Sequence, residues 1–207
     1  MATTTPNYGW SVPTSSDYVA QGAVAIETLG DSADATLFSV TGGKNVGLQH
    51  IGTYTASGSA LTIDSIFNAT YDNYKIVLSG TASAISNFRY QMRTTAPATD
   101  TSANYNHTSI RCNAGTGTVN AANGASQTLN VVTDLFTATN FSVTLELQNP
   151  FLAANTFING FSNYKANGDF YTHNSSVITT TVYGGIAFAT SSGNFTSISA
   201  KVYGYRN

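Results

Sequence analysis

The chain has 207 residues, enough for one sizeable domain and an appendage, and its net charge of −2 offers no basic patch of the kind nucleic acid requires. Charged residues make up only 9 %, against the roughly 25 % usual for soluble proteins, and Ser, Thr, Asn and Gly take their place. The 12 Tyr and 11 Phe exclude a disordered low-complexity chain, and the lone Cys112 excludes an intramolecular disulfide or a cysteine-rich zinc site.

Residues 1–16 read as an N-terminal arm. The stretch Thr3-Thr4-Thr5-Pro6-Asn7-Tyr8-Gly9-Trp10-Ser11-Val12-Pro13 is uncharged and holds the only tryptophan. Proline fixes φ and disfavours helix for the residue before it, so Asn7 to Val12 are expected to be extended or turned. A segment this short buries little against itself. Trp and Tyr dominate binding energies because they bury much area with few rotamers to freeze. Tyr8, Trp10 and Val12 are therefore the expected partner-binding residues; the competing reading folds Trp10 back onto the chain's own helix or head.

Residues 17–43 read as a helical neck. Val19, Ile26, Ala33 and Val40 fall seven apart, with Gly22, Leu29 and Thr36 three further on, which is the a/d spacing of a coiled-coil seam. Ser15 and Ser16 offer capping oxygens, Asp17 suits the positive end of the dipole, and Gly42-Gly43 supplies a stop. Val19, Ile26, Leu29 and Ala33 are expected to hold a homotrimer together. The alternative is a single amphipathic helix on the chain's own β domain, since Gly22 and Gly30 each cost about 1 kcal/mol relative to alanine. Every Lys and Arg lies after residue 43, so the neck is acidic through Asp17, Glu27, Asp31 and Asp34.

From residue 44 onward the periodicity is that of strands. Apolar and polar residues alternate in Leu48–Thr55, Leu61–Ile63, Phe88–Arg93, Phe141–Leu147 and Ile198–Tyr203, while Tyr74–Ser79 is apolar enough for a central position. Phe88, Tyr90 and Met92 share one face, and Arg89 and Arg93 the other. Residues 105–112, 128–136, 156–164, 169–172 and 177–189 complete the set. Residues 94–104 and 113–126 are expected to be loops. Ten or so strands with long loops and no second helix predict an all-β head at 44–207, a jelly-roll-like β-sandwich preceded by the arm and one short α-helix.

No catalytic constellation emerges. His50, His107 and His173 lie in separate strands without a ligand-spaced partner, and each reads as an ordinary polar position. Cys112 reads as a small buried hydrophobe. Asp64, Asp72, Asp134, Glu146 and Asp169 supply carboxylates, but nothing singles out a pair for glycoside hydrolysis. Tyr105, Tyr164, Tyr171 and Tyr183 are expected in or near loops, where aromatic faces beside Asn can hold sugar; packing with the hydroxyl at the surface is the plainer reading. The expectation is a non-enzyme with no cofactor and no metal.

Thr5-Pro6-Asn7-Tyr8-Gly9-Trp10, Pro13–Val19, Ala25–Asp31, Gly47–Ile51, Phe67–Tyr74 and the ending Val202-Tyr203-Gly204-Tyr205 resemble small structural proteins of tailed bacteriophages. The resemblance covers both ends and much of the first half, and residues 82–176 have no counterpart in it. It implies a virion component, a trimeric fibre or minor tail protein that meets other virion proteins through its arm. The alternatives are a capsid decoration or head-fibre protein, or a carbohydrate-binding module contacting host surface glycan. The opening lacks the basic and apolar regions of a secretory signal, and no run suits membrane insertion, so assembly in the host cytoplasm is expected.

Overall fold

The computed structural model describes residues 3–6, 9–14, 18–41, 47–84, 86–135, 140–163 and 169–206. The chain divides into two compact units, Met1–Val46 and Gly47–Asn207.

In the first unit the arm is not simply extended. Strands β1 (Thr3–Thr4) and β2 (Ser11–Val12) pair as an antiparallel hairpin. Thr5 N donates to Trp10 O at 2.9 Å and Gly9 N to Thr5 O at 3.0 Å, with Gly9 at φ +67°, a conformation open to glycine. Helix α1 runs from Val19 to Thr41, 23 residues, and carries no acidic residue in its first turn and no basic residue in its last. The capping residues expected at Ser15, Ser16 and Asp17, and the stop at Gly42-Gly43, lie outside the described residues. Trp10 Nε1 donates to Thr36 Oγ1 at 3.1 Å, which brings the hairpin onto the helix.

The second unit is a β-sandwich of two antiparallel sheets. Its strands are β3 (Gly47–Gly58), β4 (Ala60–Ile63), β5 (Asn73–Ala82), β6 (Ser86–Thr94), β7 (Tyr105–Cys112), β8 (Val119–Gln127), β9 (Asn130–Leu135), β10 (Asn140–Gln148), β11 (Thr156–Asn163), β12 (Phe170–Val177), β13 (Tyr183–Thr190) and β14 (Phe195–Arg206). The wide sheet has the order β3-β14-β5-β10-β11-β12-β7-β8, and the narrow one β4-β13-β6-β9. The jelly-roll-like sandwich expected from the alternation is thus the fold.

The period-2 alternation places the core. Phe88, Tyr90 and Met92 of β6 are at most 1 % exposed, as their shared face requires. Phe88 sits between the sheets, with ring centroids 5.6 Å from Phe188 on its own sheet and 5.5 and 5.9 Å from Phe141 and Phe195 on the other. Both edge strands of the wide sheet, β3 and β8, lack any fully buried residue.

The segment expected to be a loop at 113–126 instead contains β8. Its Ala, Asn and Gly content has low strand propensity, but main-chain pairing with β7 from Cys112–Val119 to Tyr105–Gln127 fixes it as an edge strand. Residues 177–189 do not form one strand: β12 ends at Val177 and β13 begins at Tyr183. Cys112 is half-buried on the outer face rather than in the core.

A chain beginning at Gly47 is expected to unfold in one cooperative transition, because its core lies wholly within the second unit. Phe88→Ala should cost about 3–5 kcal/mol, read from denaturant titration, since the ring bridges both sheets. A cost below 1 kcal/mol would show that the aromatic contacts do not hold the layers together.

Candidate functional site

The inner faces of β7 and β12 carry polar residues where a sandwich core is normally apolar. Tyr105, His107, Ser109 and Arg111 point inward from β7; Tyr171, His173, Ser175 and Val177 do so from β12, in antiparallel register through His173↔Ser109 and Ser175↔His107. Together with β8 and the edge of the narrow sheet they enclose a cavity of about 370 Å³. Its polar lining is Asn87, His107, Ser109, Arg111, Asn120 and Tyr171, and its apolar lining includes Val131 and Val132.

Two local irregularities shape it. A bulge opposite Phe88 and Arg89 skips Val132 in the β6–β9 register and turns that side chain into the core at 1 % exposure. On β8, Gly124 lies opposite His107, and a Cβ there would come within 2.6 Å of the imidazole Cε1. Glycine is what lets the edge strand close over the ring.

A buried polar cluster stands behind the cavity. Asn130, fully buried, donates from Nδ2 to Tyr90 Oη at 2.7 Å, and Tyr90 Oη also bonds Ser175 Oγ. The Tyr90 ring meets His173 edge-on at 6.0 Å, and His173 stacks with His107 at 6.1 Å. His173 is 2 % exposed, and among the described residues neither of its ring nitrogens has a partner. Burial pushes the His173 pKa down to about 3, with the neighbouring His107 adding to the shift. Burial lowers His107 too, partly opposed by the Asn130 amide. Both imidazoles are therefore neutral near pH 7.

Among the described residues Arg111 is the one charged group lining the cavity, and its charge is matched. Its Nη2 lies 3.2 Å from Oδ2 of Asp169, a carboxylate with no exposure that also accepts from Ala114 N at 3.0 Å. The guanidinium sits 5.8 Å above the Tyr171 ring.

The sequence-expected residues divide clearly. His107 and His173 come together through strand order, whereas His50 packs against Tyr203 on β3 and β14. Of the tyrosines, Tyr171 lines the cavity; Tyr105 and Tyr183 are fully buried with their hydroxyls bonded to Asp100, and Tyr164 lies outside the described residues. Their hydroxyls are thus satisfied inside rather than at the surface. Asp64, Glu146 and Asp169 are each held by a separate cation, Arg93, Lys75 and Arg111. Among the described residues no group of three or more His, Cys, Asp or Glu is placed to hold a metal ion.

On the helix, Val19 and Ile26 are exposed while Leu29 and Ala33 are half-buried. In the arm Trp10 and Val12 are half-buried, and Tyr8 lies outside the described residues. Among the described residues no helix is long and apolar enough to cross a membrane. A larger and shallower groove, about 740 Å³, crosses the outer face of the wide sheet and is walled by hydroxyls such as Thr55, Ser79, Ser197 and Ser199.

No protein-family model matches the chain, and no curated protein matches it. Among solved structures it is similar to the exo-inulinase from Aspergillus awamori, at 11 % identity and a TM-score of 0.39, over 76 % of this chain and 29 % of that one. It is also similar to the CBM22-1-GH10 modules of a Clostridium thermocellum endo-1,4-beta-D-xylanase, at 10 % identity and a TM-score of 0.23, over 77 % of this chain and 26 % of that one. The Crh5 transglycosylase in complex with NAG matches at 9 % identity and a TM-score of 0.25, over 74 % and 78 %. The chain spans less than a third of the length of the first two. Similarity this low carries nothing from those enzymes to this chain.

The neutral His173 makes the sandwich acid-sensitive. Its folded pKa of about 3 lies below the ordinary 6.5, so between these values the unfolded chain binds a proton that the folded one does not. Stability is therefore unaffected above pH 6.5 and falls as pH drops from 6.5 towards 3, by up to about 1.4 kcal/mol per pH unit. His173→Leu should flatten that slope in denaturant melts across the window. The same slope in the variant would place the acid sensitivity elsewhere.

Proposed function

We propose that the chain is a structural component of a virion of the tailed-bacteriophage type, a homotrimer joined through α1, fixed to the particle by its arm and carrying the sandwich as a head. The observation that carries this reading is a solvent-exposed apolar row on the helix. Val19 is 95 % exposed, Ile26 64 % and Leu37 64 %. Spacings of seven and eleven residues put all three on one face, since both intervals are close to whole numbers of helical turns.

The neighbouring row of Gly22, Leu29 and Thr36 is half-buried, and Trp10 is bonded to its last member. The hairpin thus serves one side of the seam and a second copy of the helix serves the other. Burying a Val, Leu or Ile side chain contributes about 1.5–3 kcal/mol. A helix with two interior glycines, no acidic residue in its first described turn and no basic residue in its last gains from burying such side chains. Threefold closure suits a particle appendage, and the resemblance of the arm and strand motifs to phage structural proteins points the same way. In this reading the accessible part of Trp10, with Val12 and the nearby Tyr8, meets a neighbouring virion protein.

Replacing Ile26 and Leu37 together by Asp places charges in the seam, where unpaired burial is costly. Particles assembled with this variant should lack the chain, while the melting temperature of the sandwich stays unchanged. Incorporation at the wild-type copy number, read by quantitative mass spectrometry of purified particles, would contradict the proposal.

A further inference from the structure

We propose that the cavity between β7, β8, β12 and the narrow-sheet edge is a binding site for a short neutral saccharide. Its volume of about 370 Å³ falls towards the small end of the roughly 300–1,000 Å³ that small-molecule sites occupy, which suits a short saccharide and not a long chain. The lining has two characters. Val131 and the Tyr171 ring offer apolar surface to the C–H face of a sugar ring, and Asn87, Asn120 and Ser109 carry donors and acceptors for its hydroxyls.

Charge decides the class. Among the described residues the one charged group in the lining, Arg111, is already matched by the buried Asp169, so an anionic ligand would have to compete with that carboxylate. His107 is held neutral by burial and brings no cation to the wall. Among the described residues phosphate, acidic sugars and cationic ligands therefore find no free counter-charge, whereas a neutral polyol finds hydrogen-bonding partners.

A second observation points to an occupant independently of shape. His107 lines the cavity, and behind it both ring nitrogens of His173 are buried and unpartnered among the described residues. Buried polar atoms without partners are rare in folded proteins because each costs the desolvation of that group. A sugar hydroxyl entering beside His107 would satisfy them by opening a wall that, as it stands, excludes solvent. The neutral Tyr90–Ser175–Asn130 network holds this wall in place.

The site rests on the head alone and not on the helix, so the test reads the same whether the chain is monomeric or trimeric. Imidazole signals of His107 and His173 are followed by NMR on the full chain. Glucose, galactose, mannose and N-acetylglucosamine are titrated to roughly 50 mM, with glucuronate and inorganic phosphate as charged probes. At least one neutral sugar should shift the His107 signals saturably, and the charged probes should not. Ala122→Phe, which fills the cavity from the edge strand, should abolish the shift, and Asn120→Ala, a milder change on the same strand, should weaken binding about tenfold. No saturable shift with any neutral sugar, equal shifts with phosphate or glucuronate, or binding retained in both variants would overturn the proposal.

Discussion

Eight strands on one side of the core face four on the other, and this mismatch in width governs the rest of the sandwich. A sheet four strands wide cannot cover one of eight, so the apolar core is confined to where both layers overlap. There Phe88 stacks on Phe188 of its own sheet and meets Phe141 tilted and Phe195 edge-on across the gap. Beyond the overlap the edge strands β3 and β8 carry no fully buried residue. Between these zones, under the β9 edge, the inner face of β7 and β12 is neither solvated nor fully covered. Polar side chains occupy it, and a cavity forms because the narrow sheet ends before the wide one does.

That arrangement explains why the buried histidines sit where they do. His173 lies far enough inside to lose its charge and near enough to the cavity wall to stack on His107. Packed hydrocarbon in its place would seal the sandwich at lower cost, since an unpartnered imidazole must be desolvated. The ion pair of Arg111 with Asp169 follows the same logic. Removing Arg111 would take from the fully buried Asp169 the cation 3.2 Å away, and loss of a buried carboxylate's counter-ion is strongly destabilising.

Much of the head was legible in the sequence because alternation is a local signal. Phe88-Arg89-Tyr90-Gln91-Met92 declares which side chains face inward, and the structure buries all three apolar ones. β8 was not legible, since Ala, Asn and Gly give no periodicity and only its pairing with β7 makes it a strand. The meeting of His107 and His173 was equally hidden. They are 66 positions apart, and their contact depends on β7 and β12 being neighbours in a strand order that no local pattern encodes. The heptad spacing of α1 could be read, but not the division of its rows, where Trp10 engages Thr36 while Val19 and Ile26 are exposed.

The exposed apolar row on α1 makes a claim about mass that needs no ligand and no particle. Native mass spectrometry of the full chain, against a chain beginning at Gly47, tests it most directly. The full chain should appear at three times its 21.7 kDa and the shorter chain as a monomer. A full chain that stays monomeric at high concentration would contradict the helical neck, and a trimer that survives loss of residues 1–46 would move the interface into the sandwich.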